Sequence, residues 1–300
     1  MRAIDRLRAA GRLEEGIALG PLTSYKLGGP ARYLVRVGGE EDLREAYSMS
    51  AEEGLQIVAL GRGSNVVVAD DGFGGIVLRP GPALAHHRIS DEGVVVAGSG
   101  VPLPLLARET ARAGRGGLEF YTGIPGSVGG AVRMNAGCHG SETRDVLISA
   151  RVFDGATATA GDRSPDDLDL SYRHSNLDDL EFVIEARFET FARPADEAEG
   201  TIREISRWRR KNQPGGTLNA GSVFKNPPGD SAGRIIDELG LKGMACGAVS
   251  VSERHGNFFV AADGATASDL HRLVGLVRAR VLEETGMDLE PEVRFVGEFP

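Results

Sequence analysis

The chain predicts an α+β fold in segregated domains, on three observations. Helical and strand patterns alternate irregularly and the strands are mostly short, which argues against a doubly wound sheet. Three hundred residues can bury two or three domain cores. Composition changes at Pro194, where a charged helical stretch begins.

In order, a short amphipathic helix is expected around Ile4 to Leu13, then a polar turn through Gly28-Gly29-Pro30 and a strand to Val37. Glu40 to Glu53 reads as a helix with Leu43, Ala46 and Tyr47 as its apolar face. The strand QIVALG leads to GRGSN at 61–65, and VVVADDGFGGIVLRP reads as two strands around a glycine turn. After the strand GVVVAGSG, Pro102 suits the first turn of a helix ending near Ala113. Val146 to Asp154 and Phe182 to Phe191 alternate as strands around a polar loop, GDRSPDDLDLSYRHSN. A helix from Pro194 to Lys211 stops at Gln213-Pro214-Gly215-Gly216. SAGRIIDELG is helical, GAVSVS and GNFFVAA are strands, a long helix covers Thr266 to Thr285, and LEPEVRFVG closes as a strand. No internal repeat or low-complexity tract interrupts this order.

A formal net charge of −9 leaves no electrostatic footprint for nucleic acid. No apolar run approaches the roughly 18–20 residues that span a bilayer, and the first residues are charged rather than signal-like. Cys138 and Cys246 make neither a disulfide framework nor a metal pattern, so a cytoplasmic location is expected. The six histidines lack ligand spacing, and no metal site is expected.

Between Gly114 and Gly140, nine of twenty-seven residues are glycine. Such density needs positive φ, or a backbone that meets a ligand with no side chain between. The glycines have no fixed period and interleave with Ile124, Val128, Val132 and Met134, so an ordered loop pressed against a large ligand fits better than a linker. A buried multi-turn crossover is the competing reading.

The other candidates are weaker one by one. GRGSN lies between two strands and lacks a third glycine at Val66, so it is no dinucleotide fingerprint. It reads first as a hairpin turn and second as a nest for phosphate oxygens, with Ser64 and Asn65 as added donors. Arg173 in SYRHS reads as a solvated charge, and Ser222 in AGSVFKNP as a local cap at the mouth of a strand. Arg209, Arg210 and Lys211 either offset a helix dipole or clamp a diphosphate. Glu290 and Glu292 would share one face of a strand.

Taken together, GRGSN, TGIPGSVGGAVRMNAGCHGSE, SYRHS, RRKNQP, AGSVFKNP, AGRIIDELGLKG and LEPEV, in this order, resemble the UDP-N-acetylenolpyruvoylglucosamine reductase family from Thr23 to Gly297. The resemblance implies reduction by NADPH, through non-covalent FAD, of the enolpyruvyl ether of UDP-N-acetylglucosamine to UDP-N-acetylmuramate. It implies three domains: two forming a vanillyl-alcohol-oxidase-like FAD-binding unit (1–78 with the strand 288–300, and 79–193), and a substrate domain at 194–287. FAD would be held by Gly61, Gly63, Ser64 and Asn65, by Thr122, Gly123, Ile124, Pro125, Gly126, Ser127, Gly129 and Gly130, and by Asn135, Ala136 and Gly137. Arg173 would meet the enolate-like charge with Glu292 close by, and Ser222 would supply the proton to carbon. Tyr172, Arg210, Lys211, Lys225 and Asn226 would bind the sugar nucleotide.

Arg133, Cys138 and His139 depart from the family pattern on the flavin loop. The absence of a tyrosine-bearing insertion between Tyr172 and Arg203 marks the shorter of the family's two types. A monomer is expected. The rival readings are an FAD-linked oxidase of the same superfamily and an inactive UDP-sugar-binding homologue.

Overall fold

The computed structural model describes residues 2–300. Packing divides the chain into two units. One contains the segments up to Gly16, Tyr33–Arg62 and Gly74–Trp208; the other contains Ile17–Arg32, Gly63–Phe73 and Arg209–Pro300.

The first unit holds two hydrophobic cores. In one, α1 (Ala3–Ala9) and α2 (Glu40–Glu53) cover a sheet ordered Leu13–Ala18, Pro30–Val37, Phe73–Pro80, Ile57–Ala59. Helix α2 begins with three acidic residues, which favour its N-terminus, and ends on left-handed Gly54. The expected first helix stops four residues early, since Gly11 at φ +65° turns the chain into the charged strand Leu13–Ala18.

The second core lies on an antiparallel sheet ordered Thr159–Arg163, Leu147–Asp154, Glu181–Glu189, Val94–Gly98, His87–Ile89. Helices α3 (Leu103–Arg112) and α4 (Val128–Arg133) and the start of α5 (Ala195–Asn212) pack on it. Thr159–Arg163 is an edge strand that reads as polar loop in sequence, because its exposed TAGDR has no apolar alternation. Pro102 caps α3 from outside its first turn.

The second unit has one core. Helix α6 (Ala232–Glu238) and helix α7 (Ala267–Thr285) pack with a sheet ordered Ala245–Cys246, Val249–Val251, Phe259–Ala261. Helix α7 buries Leu270, Leu273, Val274, Val277 and Val281, a helical stripe. Thr266 and Asp269 close a capping box at its start, reinforced by Asp70, whose carboxylate accepts from the amides of Ala267 (2.8 Å) and Ser268 (2.9 Å).

The three cores match the expected three-part α+β architecture in number, but the expected boundaries do not follow the packing. Residue 78 lies inside the strand Phe73–Pro80. The segment 288–300, expected with the first part, puts Leu289 and Val293 in the core of α6 and α7. Its strand Arg294–Val296 pairs in parallel with Val66–Val68. The division between the units also cuts α5 near its C-terminal end rather than before it.

Candidate active site

The glycine-rich segment folds as a one-turn 3₁₀ helix at Glu119–Gly123, an extended stretch, α4, and a tight hairpin pairing Gly137–Cys138 with Ser141–Glu142. Backbone bonds fasten α4: Val128 N–H donates to Val101 O and Gly129 N–H to Ser99 O, both at 3.0 Å. Beside it opens a partly open cavity lined by Gly61, Ser99, Ser127, Gly129, Gly130 and Arg133, among others. The Oγ atoms of Ser99 and Ser127 are buried there with no hydrogen-bond partner among the described residues. Unmet buried hydroxyls are costly, so such a pair points to a polar group supplied from outside the chain.

The glycines around this cavity are kept for different reasons. A Cβ on Gly129 would come within 2.9 Å of Ser99 Cβ, so protein packing alone requires this glycine, whereas one on Gly61 would crowd only the rotatable Ser127 Oγ, at 2.5 Å. Gly130 has ordinary helical φ, and a Cβ there would meet only Ser127 Oγ at 3.8 Å. Inside a helix glycine costs about 1 kcal/mol against alanine, so its reason lies in the cavity.

The GRGSN loop is no hairpin. The strand before it pairs with Phe73–Pro80, and the strand after it pairs with Arg294–Val296 in another sheet. The division of the chain falls between Arg62 and Gly63. Gly63 is required by its φ of +63° and by the carbonyl of Leu22, which would lie 2.4 Å from a Cβ. Ser64 is half-buried. The Asn65 side-chain amide donates to Glu292 O at 2.8 Å and the Asn65 backbone carbonyl accepts from Arg294 N–H at 3.0 Å, so the protein itself engages this donor. Asn135 behaves alike: fully buried at φ +39°, it donates to Ser171 O (2.9 Å) and accepts from Arg144 N–H (2.8 Å).

That Asn135 bond is one of three docking the SYRHS loop on the glycine-rich segment. Ser175 Oγ donates to Arg133 O (2.6 Å) and Arg173 Nη2 to Gly137 O (2.9 Å). Arg173 is held at φ +54°, strained for a non-glycine residue and frequent at functional sites, with its guanidinium 5.3 Å from the exposed Tyr172 ring. Thr122 is buried, Gly123, Ile124 and Ala136 are half-buried, and Pro125 is exposed. Cys138 Sγ donates to Phe120 O, and His139 meets Trp208 edge to face at 4.9 Å.

In the second unit, Ser222 follows Gly221, whose φ is +81°. Val223 O accepts Glu292 N–H at 2.7 Å and Phe224 bridges Pro291, so Glu292 lies opposite Val223, the residue after Ser222, while Ser222 itself bridges Phe258. Sequence reading overlooked the residue that sets this register. Asn257 is 2% exposed; its amide receives Phe224 N–H (2.9 Å) and donates to Phe224 O (2.8 Å), while its carbonyl accepts Val223 N–H. An asparagine beside a glycine gave no periodic signal for this.

Of the expected strand LEPEVRFVG only Arg294–Val296 forms a ladder, while LEPEV makes an isolated antiparallel bridge between Pro291 and Phe224. Glu290 and Glu292 therefore differ: Glu290 is largely exposed and pairs with Lys225 at 2.7 Å. Asn226 Oδ1 accepts Ala232 N–H at the start of α6 (3.1 Å). Arg210 and Lys211 lie in the last turn of α5, and their carbonyls accept from Arg254 (2.7 and 2.8 Å). Burial, then the Lys242 charge, holds His255 below the usual histidine range, and the Arg234 guanidinium draws Asp230 down to about 2. Among the described residues, no group of three or more His, Cys, Asp or Glu could hold a metal ion.

Residues 31–160 match the FAD binding domain, and residues 213–296 match the C-terminal domain of UDP-N-acetylenolpyruvoylglucosamine reductase. The reductase of that name from Rubrobacter xylanophilus is 43% identical over 98% of both chains. That from Caulobacter vibrioides is 40% identical over 96% of both. The crystal structure of the Thermus caldophilus reductase superposes with a TM-score of 0.83 at 38% identity, covering 95% of this chain and 99% of that one. A berberine bridge enzyme variant shares the fold alone, with a TM-score of 0.51 at 13% identity over 70% of this chain and 49% of that one. With relatives this similar along almost its whole length, the chain belongs to the UDP-N-acetylenolpyruvoylglucosamine reductase family.

Proposed function

We propose that the protein reduces UDP-N-acetylglucosamine enolpyruvate to UDP-N-acetylmuramate with NADPH through non-covalent FAD. The observation that carries this reading is the placing of Glu292 opposite Val223, next in the chain to Ser222, together with the two unmet hydroxyls and unhindered Gly130 that the first unit presents to one cavity.

The cavity suits a polar nucleotide cofactor. Ser99 and Ser127 offer hydroxyls, and Gly130 leaves room beside them. Thr122 through Gly126, Gly63 and Ser64 and the turn Ala136–Gly137 extend the assigned binding segments. Bound there, FAD would accept hydride from NADPH and deliver it to the enolpyruvyl methylene carbon.

The chain's own groups manage the charge and the proton. Hydride delivery drives negative charge onto the neighbouring carbon and its carboxylate. A guanidinium such as Arg173, pinned through Gly137 O, offers a planar fork to that carboxylate without reorganising. Ser222 Oγ then gives its proton to the carbanionic carbon; a hydroxyl is a weak acid, but a carbanion is a strong base. Glu292, its backbone fixed at N–H by Val223 and at C=O by Asn65, sets the polarity beside Ser222. Tyr172, Arg210, Lys211 and Lys225 are assigned to the sugar nucleotide, Lys225 by exchanging Glu290 for phosphate. Asn226 is assigned there by resemblance, although its carbonyl already caps α6.

The reaction belongs to peptidoglycan precursor synthesis, with a cytoplasmic monomer as the working unit. No described helix is long and apolar enough to cross a membrane. The test is to bleach the flavin of the purified protein with NADPH without oxygen and add the enolpyruvyl sugar nucleotide. Reoxidation by that compound is expected; a flavin that only oxygen reoxidises would favour the oxidase reading.

A further inference from the structure

One buried charge in the first unit has no role in this chemistry. Ile76 and Leu78 of the strand Phe73–Pro80, and Val35 and Val37 of its neighbour Pro30–Val37, enter the core beneath α1 and α2. Strand alternation therefore turns Arg79 and Arg36 to the opposite face. Arg79 is half-buried, and its Nη1 is sealed from solvent with no hydrogen-bond partner among the described residues. An unmet guanidinium N–H costs more than an unmet neutral one.

The surroundings worsen the problem. Arg36 sits on that face with its Nε bonded to Glu14. Arg62, exposed at the exit of Ile57–Ala59, reaches Pro125 O at 3.3 Å. Burial, then the charges of Arg36 and Arg62, lower the pKa of Arg79 below the usual arginine value, and Glu14 is the acid opposing them. The three guanidinium groups outnumber the carboxylate that opposes them, in a protein of net charge −9.

We infer that Arg79, Arg36 and Arg62 form a receptor for a nucleotide phosphate carrying two negative charges. Such a group cancels the excess, gives Nη1 its acceptor, and suits the two-pronged geometry of arginine. Arg79 forms the floor, and the exposed Arg62 and half-exposed Arg36 leave the mouth open to solvent. Two groups of this chemistry are at hand, the diphosphate of FAD and the 2′-phosphate of NADPH. The charge cluster stands whether or not the reductase reading does.

Arg79→Met in the full-length purified protein keeps the length and removes the fork, and Arg62→Ala removes an exposed member that folding does not need. Flavin release on dilution, read by flavin fluorescence, reports the FAD arm. Calorimetric titration with NADP⁺ and with NAD⁺ reports the other. Losing one or two charged hydrogen bonds should weaken binding about 10- to 100-fold. Faster flavin release supports the site and assigns it to the FAD diphosphate. Weaker NADP⁺ binding with NAD⁺ unchanged supports it and assigns the 2′-phosphate. If Arg79→Met fails to fold, Arg62→Ala decides by the same readings. Unchanged flavin release and unchanged NADP⁺ binding in the folded variants overturn the proposal.

Discussion

Gly130→Ala separates a glycine kept for folding from one kept for a ligand. Gly130 is an interior residue of α4 with ordinary φ, and a Cβ there has no neighbour closer than 3.8 Å. For the protein alone the methyl should therefore help, by about 0.5–1 kcal/mol from helix propensity and reduced unfolded-state freedom. In a chain of this size that raises the midpoint by about 1–3 °C. The same methyl enters the cavity, where overpacking against a bound group should cost about 1–3 kcal/mol, a roughly 5- to 150-fold loss of flavin affinity. The assay is thermal unfolding with and without excess FAD, paired with flavin release on dilution. Saturating FAD must be included because ligand alone shifts the midpoint. Gly129→Ala should differ, losing stability first, since its Cβ meets Ser99 Cβ at 2.9 Å. A Gly130→Ala protein that holds flavin as tightly as the parent would refute the cavity assignment. One that unfolds earlier without FAD would refute the claim that the fold does not need this glycine.

Four further outcomes are expected. Ser222→Ala should leave flavin reduction by NADPH near normal and slow sugar-nucleotide reduction by about 10²–10⁴-fold; equal losses in both halves would make Ser222 structural. Arg173→Lys should retain flavin and lose turnover, because an ammonium presents no planar fork; near-parental turnover would remove Arg173 from the charge-stabilising role. Asn65→Ala should loosen the Glu292 backbone and slow the second half-reaction with flavin retained, whereas flavin loss would restore Asn65 to the cofactor. Asp70 should stabilise the start of α7. Burial raises its pKa, but the Ser268 hydroxyl and the amides of Ala267 and Ser268 outweigh this and leave it lowered. Its contribution is therefore present above the unfolded value of about 3.9 and is lost as pH falls through the lower folded value. Asp70→Ala should cost about 0.5–2 kcal/mol at neutral pH, with the gap from the parent closing in urea melts below about pH 4; a constant gap would contradict the assignment.

Legibility in the sequence followed local physics. Helices α2 and α7 could be read almost to the residue, because apolar spacing, acidic or boxed starts and left-handed glycines at 54 and 286 all act within one turn. The strands Leu13–Ala18 and Thr159–Arg163 could not, because edge strands with mostly exposed or partly exposed residues carry no alternation. GRGSN looked like a hairpin because nothing local reveals that its flanking strands join different sheets. Motif order singled out Arg173, Ser222 and Glu292 as candidates, whereas the partners of Asn65, Asn135 and Asn226 stayed hidden. An amide offers the same donors to a cofactor as to a carbonyl 227 residues away, and only the folded chain distinguishes them. Ser99, Arg79 and Asn257 were missed for the same reason: their significance is a partner, or the lack of one, in three dimensions.

The pairing of residues 66–68 with 294–296 also sets an order of events during synthesis. The second unit is assembled from three separated segments, and the Asn65–Glu292 bond closes a loop of more than two hundred residues. The core on Val94–Gly98 and Leu147–Asp154 draws on residues 95–202, so it can consolidate while translation continues. Val223, next to Ser222, cannot meet Glu292 until that end of the chain has left the ribosome. Contacts of such long range form slowly, and until then the strand Val66–Val68 is an unprotected edge. The nascent chain therefore has a stage at which it is exposed to aggregation and inactive, and expression at lower temperature or with a chaperone holding that edge should raise the soluble yield.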